Sequence, residues 1–195
     1  MNKREIQKAK TKEKITKVAM EVYAKSGFAT PTNVIAKEAG VSHGTIFNHF
    51  PTLEDLYIGT LESFNKTITL QMHNLSITSD SIKELLYKYL DVIEEYEAFY
   101  TRLISETNLL PIEVRFTLIE MQSGISHHFS TVVEKERALG TIKDIPLHML
   151  FNTWLGLVHY YLQNSQSFAP NESVIKRYKK ELVTNYLKLI EKEEK

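Results

Sequence analysis

The chain contains no cysteine in its 195 residues, and only seven glycines, five prolines and one tryptophan. The absence of cysteine excludes a disulfide framework and a thiolate metal site, and it is compatible with a reducing cytoplasm. The scarcity of glycine and proline leaves long segments in which apolar residues recur every three or four positions, a spacing typical of helices. Hydrophobic residues make up 43% of the chain, which is enough for a core and argues against global disorder.

Long apolar runs are also lacking. Residues 1–14 contain no apolar stretch of the kind found in secretory signals. The longest apolar stretch, residues 149–162, is interrupted by Asn152 and His159 and is shorter than a bilayer requires. We therefore expect a cytoplasmic protein that does not contact a membrane.

The chain carries no excess of either charge, with 24 basic and 24 acidic residues. The distribution is nevertheless uneven, because residues 1–50 hold nine Lys/Arg and four Glu, a net charge of +5. The remaining residues carry the compensating −5. A basic first quarter suggests a surface that binds a polyanion, although an ordinary solvated face has the same signature until a motif decides.

Turn and capping residues divide the chain into about nine predicted helices and predict no strand. The first three are expected over about residues 4–26, 31–38 and 43–50, and later ones begin near residues 53, 81, 111, 146 and 172. Gly27 is expected to end the first helix, Thr30 to cap the second and Ser42 to cap the third. Thr52 and Asp55 resemble a capping box for the fourth. Residues 164–170 are expected to form a polar loop.

Residues 30–50 contain the pattern that carries function. Two short helices flank a tight turn at Gly40, and apolar residues would lock them together: Ile35, Ala36, Ala39, Val41, Ile46 and Phe50. The remaining side chains of the second helix include no acid, which suits a helix that reads the major groove because a carboxylate would repel phosphate. A generic helical hairpin in a protein core is the alternative.

Residues 35–51, IAKEAGVSHGTIFNHFP, followed by Leu56, resemble the signature of the TetR family of regulators. The end of the first helix, with Ala19, Tyr23, Gly27 and Phe28, is also similar, so the resemblance covers about residues 10–65. It implies an all-α fold with an N-terminal three-helix helix-turn-helix domain over residues 1–51, the motif occupying 31–50. It also implies a helical ligand-sensing and dimerisation domain over residues 52–195.

The resemblance implies DNA-binding roles for nine residues. Those expected at phosphates are Thr30, Thr32 and Ser42, those near base edges are His43, Gly44 and Thr45, and those at backbone oxygens are Asn48 and His49. Phe47 is the ninth, and it stands where the family usually has tyrosine. Leu53 stands where the family usually has lysine, so one phosphate contact is expected to be missing. The basic residues between Lys3 and Lys14 are expected near phosphates or the minor groove.

The body of the protein is expected to enclose an effector and to form a homodimer through the last two long helices. The candidate ligand-binding residues are polar or aromatic: Tyr100, Arg102, Glu106, Gln122, His127, Asn152 and Trp154. Each of these has an alternative structural role, and Arg102 and Glu106 have the spacing of a surface ion pair. Gly156 in the middle of a helix favours a close helix crossing, within the chain or between subunits.

The predicted function is a ligand-responsive repressor that leaves a palindromic double-stranded DNA operator when it binds an unknown small-molecule effector. The alternative is an adaptor that keeps this fold but binds a protein. An enzyme is not expected, because the chain lacks the common phosphate-loop, dinucleotide, zinc-protease and serine-hydrolase motifs. No metal or cofactor is expected, since the adjacent His127 and His128 point in different directions on a helix.

Overall fold

The computed structural model describes residues 2–78 and 81–192, and within these residues the fold is all-α, as predicted. A 3-10 helix, Thr107–Leu109, accompanies ten α-helices. The α-helices are α1 (Lys3–Ser26), α2 (Thr32–Ala39), α3 (His43–His49), α4 (Leu53–Thr78), α5 (Ile82–Glu95), α6 (Glu97–Glu106), α7 (Ile112–Ala138), α8 (Leu147–Gln163), α9 (Ser165–Phe168) and α10 (Val174–Ile190). No helix in the described part of the chain is long and apolar enough to cross a membrane.

The short helix α9 lies in the segment that was predicted to be a polar loop, so that prediction is wrong for residues 165–168. The amide of Phe168 donates to Asn164 O at 3.2 Å. Its ring stacks on Tyr161 with centroids 4.7 Å apart and contacts Tyr178 at 6.1 Å. Packing of this ring between α8 and α10 therefore stabilises a helical turn that the local sequence alone does not favour.

The chain forms two compact units, and the first combines the N-terminal helices with part of the body. It contains the described residues up to Thr67 together with Ala98–Glu120. In this unit α1 packs on α2 and α2 packs on α3. An aromatic cluster of Tyr23, Phe28, Tyr57, Phe64 and Phe99 links α1, the start of α4 and α6. The predicted domain boundary after residue 51 stays a prediction.

The second unit contains Ile68–Glu97 and the described residues from Met121 onwards. Here α10 packs against α5 and α8. Two carboxylates accept hydrogen bonds from backbone amides at helix N-termini. Glu97 accepts from the Val174 amide at 3.0 Å, and buried Glu136 accepts from the Ile82 amide at 2.6 Å. Lys179 of α10 reaches Asp91 of α5 at 2.7 Å. Buried amides and carboxylates are thus paired at the places where helices begin.

Candidate functional site

The pair α2–α3 is joined by a turn in which glycine is required. Gly40 has φ 63° and ψ 38°, a left-handed conformation that other residues adopt at a cost, and its amide donates to Lys37 O at 3.1 Å. The apolar residues predicted to lock the two helices are all buried except Val41, which is half-buried. The hydrophobic contacts therefore fix the angle between α2 and α3.

The start of α3 is capped as predicted. Ser42 Oγ accepts the Thr45 amide at 3.0 Å and lies 2.8 Å from the Thr45 hydroxyl. Because Ser42 is exposed, its hydroxyl remains on the surface that α3 presents. The capping box at the next helix is also present, with the Asp55 amide donating to Thr52 Oγ1 at 3.0 Å and the Thr52 amide donating to Asp55 at 2.9 Å.

The predicted reading residues lie on one accessible part of α3. Exposed side chains or backbone belong to His43, Gly44, Phe47 and Asn48, while Thr45 and His49 are half-buried. The His43 ring packs edge-on against Phe47 with centroids 4.9 Å apart, and its Nε2 lies 2.8 Å from Thr32 Oγ1. The structure thus brings Thr32 of α2 into contact with the exposed face of α3, a relationship that sequence spacing did not reveal.

Thr30 does not cap α2, so that prediction is wrong. The residue at the N-cap position is Pro31, and no side chain makes a capping hydrogen bond there. The Thr30 hydroxyl instead donates back to Gly27 O at 2.8 Å. The turn between α1 and α2 offers the hydroxyl a nearer acceptor, so Thr30 closes this turn. Its predicted phosphate contact stays a prediction.

Basic side chains of α1 adjoin the end of α3. The Lys12 ammonium lies 5.4 Å from the centroid of the Phe50 ring. Burial, then Lys8 and Lys12, lower the pKa of His49, and its Nδ1 is buried without a hydrogen-bond partner. The uncharged ring is therefore the favoured form at neutral pH. Such a group beside two ammonium ions forms a site suited to a phosphate oxygen.

Residues 15–59 match the family described as bacterial regulatory proteins, tetR family. These residues belong to the TetR family of regulators. The predicted class, a DNA-binding transcription regulator and not an enzyme, is confirmed at the level of this family.

Known proteins similar to this chain include the uncharacterized HTH-type transcriptional regulator YerO of Bacillus subtilis. It is 30% identical over 107 residues, which are 51% of the chain and 37% of YerO, so the match spans little more than a third of that relative. A putative regulator from Saccharomonospora viridis, solved in complex with choline, has a TM-score of 0.79 at 16% identity and covers 95% of this chain and 100% of its own. FadR from Bacillus subtilis in complex with stearoyl-CoA has a TM-score of 0.72 at 18% identity, covering 90% and 95%. These two likenesses show the shared fold.

The two departures from the family signature, Phe47 and Leu53, both lie at the protein surface. Phe47 is 37% exposed and Leu53, the first residue of α4, is 42% exposed. Neither is required by the core, so a hydroxyl and an ammonium at these positions would be accommodated. Their absence leaves two exposed apolar side chains, one on α3 and one at the start of α4.

The candidate effector site is a small, largely aromatic cavity in the second unit. It measures about 10 Å³ and is lined by Leu85, Leu86, Tyr89, Ile125, Phe129, Phe151 and Trp154. The Trp154 ring lies 6.2 Å from Tyr89 and 5.1 Å from Tyr186, centroid to centroid. This volume holds about one water molecule, so a larger ligand requires the rings to separate.

The seven predicted ligand residues are divided between the two units, and Trp154 is the one that lines this cavity. Tyr100 is buried against Phe64 in the first unit, with ring centroids 5.8 Å apart. Arg102 pairs with Glu106 at 3.2 Å, as the alternative interpretation of their spacing predicted. The other candidates are exposed or half-buried on α7 and α8: Gln122, His127 and Asn152. Their contact with an effector stays a prediction.

The sequence analysis did not identify the other cavity residues, on α5, α7 and α8, because they are aliphatic or aromatic. Tyr89, Phe129 and Phe151 lie on ordinary helical stripes, and such stripes indicate a core rather than a binding site. Only the convergence of α5, α7 and α8 brings them around one space. Trp154 is therefore the cavity residue that the sequence predicted, and its neighbours became apparent only in the fold.

One face of α8 is exposed. Met149 is 51% exposed, Tyr160 is 58% exposed, and a Cβ placed on Gly156 would meet no described atom within 4 Å. Asn152 and Thr153 lie between them at helical spacing and are also exposed. Gly156 therefore serves no close crossing within the described chain.

Proposed function

We propose that the protein is a dimeric transcription repressor that binds an inverted-repeat operator through α3 and releases it when an apolar effector enters the aromatic cavity. The single observation that carries operator binding is the exposed, acid-free face of α3 beside the basic residues of α1. In this arrangement ammonium groups neutralise phosphates while short polar side chains meet base edges.

Base reading is assigned to the first turn of α3. Gly44 has no side chain, and His43 with Thr45 flanks it on the exposed face. His43 is already oriented by its hydrogen bond to Thr32 and its contact with Phe47. A pre-oriented ring loses less conformational entropy when it meets a base, which favours specificity.

Dimerisation is assigned to the exposed stripe of α8 with α10 beside it. The stripe contains apolar side chains and a glycine at helical spacing, whereas surface helices of soluble proteins ordinarily expose polar residues there. A two-fold pair of such faces forms a self-complementary interface, and it would present two copies of α3 to two half-sites.

The effector is expected to be largely apolar or aromatic, because the cavity lining offers rings and aliphatic side chains. Two structures of similar fold contain choline and stearoyl-CoA, which is consistent with a small-molecule effector in a domain of this fold. An effector releases DNA only if it binds the DNA-incompetent arrangement more tightly than the competent one. A coupling free energy of about 1–3 kcal/mol corresponds to roughly 5- to 150-fold weaker operator binding.

The decisive experiment uses the single tryptophan, Trp154, as a reporter inside the cavity. The operator is first obtained by selecting full-length protein on random double-stranded DNA. Stearoyl-CoA, choline and a series of aromatic acids are then titrated while Trp154 emission is followed, and each hit is titrated against the protein–operator complex. A Trp154→Phe variant, followed by calorimetry, is the control for optical artefacts.

We expect selection to give an inverted-repeat consensus and sedimentation to show a dimer. We also expect some compounds to change Trp154 emission and weaken operator binding at the same concentrations. A compound that releases DNA without changing Trp154 emission would locate sensing elsewhere. Compounds that change Trp154 emission but leave operator affinity unaltered would contradict the proposal that an effector in the cavity releases DNA. Failure to enrich any DNA sequence would favour the adaptor.

A further inference from the structure

The turn between α1 and α2 is held from α6. The Phe28 amide donates to Glu106 Oε2 at 2.8 Å, across 78 residues of chain. On the other side of the same residue, the Tyr57 hydroxyl of α4 donates to the Phe28 carbonyl at 2.7 Å. Both backbone groups of Phe28 are therefore fixed by side chains from two other helices. This residue leads directly into α2 and then into α3.

The turn is shaped to admit the Glu106 carboxylate. Gly27 has φ 81°, and a Cβ at this position would lie 2.8 Å from Glu106 Oε1. A side chain at residue 27 would thus be strained by its own backbone and would displace the carboxylate. Arg102 contacts the same oxygen at 3.2 Å, so the carboxylate is oriented from its own helix as well.

The Phe28 side chain adds a packed contact at the same point. Its ring stacks on Tyr23 at 4.7 Å and lies 5.9 Å from Phe99 of α6, centroid to centroid. The Glu106 side chain is only 20% exposed, which makes its hydrogen bond to the amide stronger than one in water. Loss of this acceptor would leave the Phe28 amide partly buried and unpaired.

We propose that Glu106 is a positioning residue for operator binding, which it supports by holding the Phe28 amide and thereby fixing the direction in which α2 and α3 leave α1. The inference rests on the proposed function, because it assumes that α3 binds an operator. In this role Glu106 connects α6 to the helices α2 and α3 and does not contact the effector.

The electrostatic effect of removing the Glu106 charge and the loss of positioning change operator affinity in opposite directions. Removal of a carboxylate from a DNA-binding protein strengthens DNA binding electrostatically. Loss of positioning weakens it, because the apparent affinity falls with the fraction of molecules whose reading helix is correctly placed. The sign of the change therefore distinguishes the two effects.

The experiment compares Glu106→Ala, Glu106→Gln and the matched control Glu120→Gln in the full-length protein on the selected operator. Glu120 is exposed on α7 in the same unit, so its replacement makes the same charge change away from the turn. We expect Glu106→Ala to weaken operator binding about tenfold, the factor that 1.4 kcal/mol represents. Glu106→Gln retains an acceptor oxygen and should weaken binding less, and Glu120→Gln should leave it unchanged or slightly tighter.

Two further measurements separate positioning from a loss of folding or of a DNA contact. Hydrogen exchange should become faster at the Phe28 amide and in α2 while α5 and α10 keep their protection, and the salt dependence of binding should stay unchanged. Gly27→Ala, which keeps the carboxylate but displaces it, should weaken the operator complex in the same direction.

Operator affinity in Glu106→Ala that equals or exceeds that of the unaltered protein would overturn the inference. General loss of exchange protection in both Glu106 variants would also overturn it, since the residue would then support the whole fold. If the unaltered protein itself selects no operator, the proposed function fails, and this result is distinguishable from failure of the Glu106 variants alone.

Discussion

The ring of Phe50 lies directly over Gly59, so that a Cβ on Gly59 would come 2.5 Å from Phe50 Cε1. Phe50 is the C-cap residue that follows α3 and is 2% exposed, and Gly59 is buried in α4. The absence of a side chain at residue 59 therefore lets the end of α3 pack closely against α4. Within the first unit, α4 thus positions the end of α3.

Gly59→Ala should destabilise the protein by about 1–3 kcal/mol, because the added methyl group forces Phe50 out of a packed position. Chemical denaturation of the full-length protein measures the change in the free energy of unfolding. Gly124→Ala is the control, since a Cβ there meets no described atom within 4 Å and alanine favours a helix by up to about 1 kcal/mol. Equal effects of the two substitutions would mean that Phe50 moves aside without cost.

Gly44→Ala should leave the folded protein as stable as before but weaken operator binding at least tenfold, the factor that about 1.4 kcal/mol represents. The nearest described atom to a Cβ on Gly44 is Ser42 Oγ at 3.8 Å, an ordinary contact, so the chain itself tolerates alanine. A methyl group would instead meet the bases that approach the start of α3. Thermal unfolding and operator titration measure the two quantities; an unchanged operator affinity would place this turn away from the bases.

Leu53→Lys should make operator binding more sensitive to salt, because an ammonium at the start of α4 would neutralise one more phosphate. The slope of log K against log [salt] should steepen by about 0.9. Leu70→Lys introduces the same charge further along α4, where the leucine is 58% exposed, and should leave the slope unaltered. Equal slopes for the two variants would show that residue 53 lies off the DNA backbone.

His49 should contribute to operator binding as an uncharged donor at neutral pH. Burial, then Lys8 and Lys12, hold the pKa of His49 below its ordinary value of 6.5, so binding should not depend on this residue's charge between pH 7 and 8. His49→Ala should weaken the operator complex about fivefold with an unchanged salt slope, and His49→Gln, which retains a donor, should weaken it less. Lys12→Ala, the cationic comparison, should reduce the slope by about 0.9.

The sign of the pH effect below neutrality is opposite for folding and for DNA binding. The folded protein disfavours protonated His49, so this residue lowers the free energy of unfolding as the pH falls through 6.5 towards its depressed pKa. A phosphate beside the ring favours protonated His49. As the pH falls from 6.5 towards the depressed pKa, operator affinity should therefore rise in the unaltered protein but not in His49→Gln. Titrations from pH 8 to 5.5 measure this; a parallel rise in His49→Gln would assign it to other groups.

Gly156→Ala should weaken the dimer if the exposed face of α8 is the subunit interface. The isolated subunit accommodates the methyl group, because no described atom lies within 4 Å of it, whereas a helix from a second subunit crossing at the glycine would be pushed away. Sedimentation equilibrium should give a dimer dissociation constant at least tenfold higher, equivalent to about 1.4 kcal/mol. Gly124→Ala should leave it unaltered, and an unaltered constant in Gly156→Ala would exclude this crossing.

The helix-turn-helix could be predicted because its determinants are close together in sequence. Gly40, Ser42 and the Thr52–Asp55 pair act on neighbouring backbone groups, so the same local chemistry that marks them in the sequence operates in the fold. The spacing of apolar residues likewise predicted nearly all the helices. Thr30 was the local exception, because the Gly27 carbonyl offered its hydroxyl an acceptor that spacing alone did not indicate.

The sequence by itself thus determined the helical class, the DNA-reading segment and its family, since these depend on periodicity and on short-range caps. Only the tertiary structure decided that Glu106 holds Phe28, that Gly59 receives Phe50, and that aromatic residues of α5, α7 and α8 enclose a space around Trp154. These contacts join residues far apart in the chain, and they depend on how helices cross. Helix crossing follows from the packing of whole side chains, which a periodic pattern of apolar residues does not specify.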